Sequence, residues 1–352
     1  MSARGRAYFR YKIIGYEKMR VLKNLKLAYK FLLVLAIVLV PTVLFAALYF
    51  GSQADDVSFL NKEIKGVDYL LPAHNAQQQI SKYTALLTAE STAVMKNQKS
   101  LFRQKANSQE PAVSDAIAQI EAIGKTQKDE LKLASNSSTI KSEWASVRGS
   151  GQPEAGARLT ANLLDFMRSV GDASNLILDS ELDSYHLMDT VVISLPELSF
   201  EIESVRNLMR QRAAGGYMET AFGNNANLQG QLTPLLRAME ADAEAFISLV
   251  ESEAKEQAVN IESVSSQADS VQLALSSMYT ATVPELKKLL EDRASGITGG
   301  MYGNASVVLI SVIIALIIAF MVYRSITGPL SQAIQVFRQI QDGDLSSKIE
   351  VT

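Results

Sequence analysis

No cysteine occurs among the 352 residues, and histidine is nearly absent, with only His74 and His186. The missing thiols exclude disulfides and thiolate metal sites, so the fold must be held by packing alone. Two isolated histidines offer no metal-ligand spacing and no nucleophile triad, and no glycine-rich phosphate loop is present. Catalysis, a metal and a cofactor are therefore not expected of this chain. Sustained two-residue alternation is lacking as well, which leaves no candidate sheet.

Charge is missing from two long stretches. Residues 31–50 carry none, and residues 305–323 have only Ser306 and Ser311 as small polar members. At about 1.5 Å per residue each run matches the roughly 30 Å hydrocarbon core, so each is expected to span a lipid bilayer. Tyr49, Tyr302 and Tyr323 sit where interfacial aromatic residues belong. Ahead of the first run, Arg4, Arg6, Arg10, Lys12, Lys18, Arg20, Lys23, Lys26 and Lys30 face the single acid Glu17, which keeps residues 1–30 in the cytoplasm. Two spans then place residues 51–304 outside and residues 324–352 back inside. The outer stretch holds roughly eleven more acidic than basic residues, so nucleic acid is not an expected partner.

Helical periodicity fills that outer stretch. Val57, Leu60, Ile64, Val67 and Leu71 form one stripe, read as a helix running directly out of the first span to about Phe102. Val191, Leu195, Leu198, Ile202, Val205 and Met209 form another, which passes Pro196 in phase and so predicts a kink there, not a break. Loops are expected at residues 107–111, 135–138, 149–153 and 215–227. Thr282 with Glu285, and Ser194 with Glu197, have the form of capping boxes and predict helix starts. The fold class that follows is all-α: a long up-and-down helical bundle, expected as two stacked four-helix modules, flanked by two transmembrane helices.

After the second span the chain reads Arg324 to Gly328, Pro329 and Leu330, then an amphipathic stripe of Leu330, Ile334 and Phe337, then Gly343, Asp344 and Leu345. This resembles the start of a HAMP linker, a cytoplasmic module of bacterial sensors built as a parallel four-helix coiled coil between two subunits. The second HAMP helix does not follow, so the chain is expected to be a piece of a longer receptor. Pro329 is read as interrupting the membrane helix so that a displacement can be re-expressed as a change of helix packing. The segments Ser174 to Asp179, Leu182 to Asp189 and Leu195 to Leu198, together with Gly66, Tyr69 and Pro72, are similar to the outer helical domains of bacterial methyl-accepting chemotaxis proteins. Sensor kinases and diguanylate cyclases share such segments. A His-Arg-Gly that often follows in the first helix is absent, so no nitrate ligand is carried over.

Two regions are candidates for ligand binding. Extending the first stripe puts His74, Gln78 and Ser81 at core positions, where buried polar groups need partners that a small molecule could supply. A stutter in the helix is the alternative, moving the core to Ile80, Tyr83 and Leu87 and leaving His74 solvated. The second region joins Asp179, Asp183, Tyr185 and His186 to Arg206 and Arg210, whose planar guanidinium groups suit a carboxylate or nitrate-like anion. Pairing of these arginines with neighbouring acids, and capping by Asp179 and Asp183, are the ordinary alternatives.

The combined expectation is a bacterial inner-membrane, multi-pass receptor that acts as a homodimer in the bilayer. Its extracytoplasmic domain takes a small molecule or a ligand-loaded binding protein, and Gly328, Pro329 and Leu330 couple it to chemotaxis signalling. A histidine kinase or diguanylate cyclase sensor, or a membrane-anchored interaction scaffold, are the rival readings.

Overall fold

The computed structural model describes residues 27–179, 181–213, 242–255 and 260–341. The basic residues up to Lys26, the glycine and asparagine segment 215–227 and the Gly343–Leu345 connector lie outside the described residues. Helix is the only regular structure among those described. In order these are α1 (Leu27–Thr92), α2 (Lys96–Thr126), α3 (Ala134–Ser150), α4 (Pro153–Ser174), a 3-10 turn (Leu176–Leu178), α5 (Leu182–Met188), a π-helical turn (Asp189–Ser194), α6 (Leu195–Ala213), α7 (Asp242–Lys255) and α8 (Ile261–Gln341). The chain divides into two compact units, Val57–Ser295 and the pair Met1–Asp56 with Gly296–Thr352.

In the unit Val57–Ser295, α1 is the central helix and its neighbours run alternately down and up along it. Glu90 pairs with Arg103 at 2.8 Å at one end of α1, whereas Asp68 accepts a hydrogen bond from Gln127 at 3.1 Å toward the other, so α2 is antiparallel. A Cβ on Gly156 would lie 2.2 Å from Thr84, and one on Gly66 would lie 2.2 Å from Ser174, which puts α4 against α1 with closest approach at the small residues. Tyr69 meets Phe166 edge-on between these two points. Tyr279 of α8 donates to the Leu70 carbonyl at 3.2 Å, and Lys287 pairs with Asp68 at 2.6 Å. Helices α1, α2, α4 and α8 therefore pack side by side in alternating directions, and the compact unit is an up-and-down helical bundle.

Central position explains why the stripe of α1 changes character. Leu60 and Val67 are buried as expected, but Leu71 is 36% exposed and Leu70 takes the core place. Beyond Val67, Tyr69, Ala73, Ala76, Gln77, Ile80, Tyr83, Ala85 and Leu87 are all buried, because helices pack around most of α1 and leave only a narrow solvent stripe through Leu71, Asn75, Gln78 and Lys82. The stutter toward Ile80, Tyr83 and Leu87 is present, yet His74 is buried too. In α8 one stripe carries the packing: Val264, Ala268, Val271, Leu275, Tyr279, Val283, Leu286, Leu290 and Ala294 recur at helical spacing, and all are buried.

Several expected breaks are absent. Helix α1 stops at Thr92, short of Phe102. Pro111 lies inside α2, held by the buried residues Ala106, Val113, Ala116, Ile117 and Ile120 on either side, so residues 107–111 form no loop. Residues 135–138 begin α3, where Ser137, Ser138 and Thr139 return their hydroxyls to carbonyls of the same turn. Thr282 caps nothing: its hydroxyl donates to the Met278 carbonyl within α8, and Pro284 is interior. Ser194 likewise starts no helix, since the π-helical turn leads straight into α6. That turn is the irregularity that accompanies Pro196. The break at Gly149–Pro153 is real, with Gly151 in the left-handed conformation at φ 59° and Pro153 opening α4.

The other unit contains the two apolar runs. Helices α1 and α8 are each long and apolar enough to cross a membrane, and their apolar windows are wholly unburied. Asn304 donates to the Tyr49 hydroxyl at 2.6 Å, and Phe31 meets Tyr323 edge-on at 6.1 Å, which sets the two segments antiparallel. Helix α8 continues through Gly328, Pro329 and Leu330 to Gln341, so Pro329 does not end it. A proline there removes one backbone hydrogen bond and leaves the rest of the ladder in place.

Candidate functional site

The groove with the richest chemistry lies between α1, α6 and α8. It encloses about 450 Å³ and is lined by Gln78 and Ser81 from α1, Ser199, Glu203 and Arg206 from α6, and Gln272 from α8, with Lys82 and Asp269 also on its walls. Arg206 is 5% exposed and anchors it. One guanidinium nitrogen donates to Asp269 at 2.6 Å, a second pairs with Glu203, and Nε is buried without a partner. Burial pushes the Glu203 carboxyl above its usual range, and the nearby Arg206 charge only partly opposes this. Ser199 donates to Gln272 at 2.8 Å, and Gln272 returns a bond to the Ser199 carbonyl at 2.7 Å. The α6 and α8 walls are thus clamped at mid-groove, while Gln78 stays half-buried on the α1 wall.

One turn before Gln78, His74 lies in the core instead of on the groove wall. Its ring stacks on Tyr279 with centroids 4.0 Å apart and planes at 11°. Neither ring nitrogen meets hydrogen-bond geometry. Burial lowers its pKa to about 4, and the polar neighbour Gln77 opposes this only in part, so the imidazole is neutral. Gln77, 0% exposed, spends its amide on the Pro196 carbonyl at 2.8 Å, which joins α1 to the start of α6.

The second region suggested by the sequence separates into two places. Arg206 meets Asp269, whereas Asp179 and Asp183 meet Arg293, at 3.3 and 3.2 Å. Asp269 and Arg293 are about 36 Å apart along α8 at 1.5 Å per residue. Tyr185 is exposed, and its ring touches His186. Arg210 does not join Arg206 in a clamp: it donates to the Ala85 carbonyl at 2.8 Å and the Ser265 hydroxyl at 3.1 Å. Of the sequence candidates, Gln78, Ser81 and Arg206 share the groove, while His74, Tyr185 and Arg210 lie elsewhere.

No family model, curated protein or solved structure matches this chain. The site therefore has to be read from its own residues. Among the described residues no group of three or more histidine, aspartate or glutamate side chains is placed to hold a metal ion. The groove's donors and acceptors are amides, hydroxyls, carboxyls and cations, a lining polar on all three walls. Glu203, Gln272 and Tyr279 were not foreseen from the sequence. Glu203 had a usable signal, since it stands three residues before Arg206 on a helix whose apolar stripe it adjoins.

Proposed function

We propose that this chain is the sensory and membrane-spanning part of a bacterial signal receptor that acts as a homodimer in the cytoplasmic membrane. Its bundle faces outward and takes a small polar molecule in the groove between α1, α6 and α8. The consequence is a displacement of α8 that passes through residues 305–323 to the cytoplasmic side, with chemotaxis signalling as the output. The chain itself performs no catalysis.

The observation that carries this reading is the continuity of α8. One unbroken helix from Ile261 to Gln341 includes Asp269 and Gln272 of the groove, Tyr279 against His74, the second apolar run and the Gly328–Leu330 junction. A ligand bridging α6 and α8 would favour one packing of these helices, and only that difference in affinity between packings can be transmitted. At Pro329 the missing backbone hydrogen bond supplies a local compliance for the next module. The test is a thermal-shift screen of the whole chain in nanodiscs against amino acids, organic acids, nitrate, nitrite, purines and polyamines. A hit that stabilises the bundle and is lost in Gln78→Leu supports the groove; a folded bundle that answers none of these classes removes direct sensing of them from the account.

A further inference from the structure

Glu63 occupies a core position of α1 between Leu60 and Val67, and it is 1% exposed. Both of its carboxyl oxygens lack a hydrogen-bond partner. A buried carboxylate without a partner is strongly disfavoured, so this side chain must either keep its proton or gain a cation.

Among the described residues no cation is left for it. Arg293 of α8 faces the site, but its guanidinium is divided between Asp179 at 3.3 Å, Asp183 at 3.2 Å and the Ser184 hydroxyl at 3.0 Å. Lys62 donates to Asn175 at 3.1 Å, Lys65 pairs with Glu130, and Lys287 pairs with Asp68. Asp179, which also accepts from the Glu181 amide at 3.0 Å, has its second carboxyl oxygen buried and unpartnered. Glu63 and Asp179 therefore compete for a single guanidinium that Asp179 already holds.

We propose that Glu63, Asp179 and Arg293 form a proton-operated latch that holds Asp179 and the start of α5 against α1 and α8, closed when Glu63 is protonated and opened when alkaline medium removes that proton. Loss of the proton places a second negative charge beside Asp179 at the Arg293 guanidinium, and the relief is to let Asp179 and Asp183 leave Arg293 and admit water. Burial, and then the Asp179 charge, raise Glu63 to about 8 against the partial pull of Arg293, which puts the transition within an ordinary environmental range. Leu178 and Leu182 are 64% and 71% exposed, which leaves room for a probe at the start of α5. Its effect on signalling rests on the receptor reading given above, but the latch itself does not.

The absence of cysteine makes the test direct. A nitroxide on Leu182→Cys in the whole chain, reconstituted in nanodiscs, reports the mobility of the start of α5 from about pH 6 to about pH 10. The expected result is mobilisation with a midpoint near 8, abolished in Glu63→Gln, which keeps the shape and cannot ionise. Parallel infrared difference spectra of the unlabelled protein should lose a protonated-carboxyl band over the same range. A label that stays immobile across the range, a transition that survives in Glu63→Gln, or the absence of that band each overturns the latch. A transition without any ligand-driven movement of the spans would uphold the latch and count against the receptor reading alone.

Discussion

Histidine 74 gives the sharpest energetic prediction. In the folded chain it is neutral, 3% exposed and stacked on Tyr279. Its pKa is about 4 in this setting against an ordinary 6.5, so between those values the unfolded chain binds a proton that the folded chain does not. The sign follows from that difference: the contribution is fully present above pH 6.5 and is lost as pH falls through the folded value. A shift of this size corresponds to about 3 kcal/mol in full, at roughly 1.4 kcal/mol per pKa unit, and to about 2 kcal/mol between pH 7 and pH 4.5. Replacing His74 by Phe keeps a ring on Tyr279 and removes the proton site. Chemical denaturation of wild type and His74→Phe in the same detergent should therefore show the gap between them moving by about 2 kcal/mol in favour of the variant on going from pH 7 to pH 4.5. The comparison cancels every carboxylate that the two proteins share. Equal acid destabilisation of both would refute the reasoning, because it would mean that His74 is hydrated or already charged in the folded bundle.

Gly66→Ala should cost about 1–3 kcal/mol in a melt, since the new Cβ would lie 2.2 Å from the Ser174 hydroxyl and 2.3 Å from its Cβ, whereas Gly296→Ala, with nothing within 4 Å, should be neutral or slightly stabilising. Arg206→Gln strands Glu203 in the core and should lose about 3 kcal/mol, with much of that recovered by the paired change Arg206→Met and Glu203→Leu; failure of the pair to recover stability would refute the assignment of that loss to a stranded Glu203. For topology, an impermeant maleimide should label Lys141→Cys on intact cells and Ser331→Cys only after lysis; the reverse pattern would invert the chain in the membrane.

Much of the fold was legible. Apolar runs without charge, helical spacing in Leu60 and Val67 or in Val191 to Met209, and the Gly149–Pro153 break all carry local physics that the structure keeps. Proline was over-read. Pro111, Pro284 and Pro329 each cost one backbone hydrogen bond, and in the first two cases a buried stripe on both sides outweighs the loss. The candidate site was harder to see, for two reasons. A helix packed around most of its circumference has little amphipathic contrast, so the stripe of Val57, Leu60, Ile64, Val67 and Leu71 left out Glu63 and Gln77, which are core. Arginines four residues apart share a face, yet α6 directs Arg206 to Asp269 and Glu203 and directs Arg210 to a backbone carbonyl, and only the partner helices decide which. The association of Tyr185 with that pair failed on length alone: nearness in sequence to a helix start says nothing of the far end of the helix.

Ligand-driven movement of α8 against α1 is the central claim, and a thiol cross-link at one contact reads it most directly. Tyr49 and Asn304 touch at 2.6 Å through their side-chain ends, and the native chain contributes no competing thiol, so Tyr49→Cys with Asn304→Cys can be joined in native membranes by a short bis-maleimide that spans the gap the tyrosine ring leaves. The account predicts a cross-linking rate that changes severalfold when a ligand from the thermal screen is saturating and that stays constant when Gln78→Leu is added. An unchanged rate with ligand demonstrably bound would contradict it.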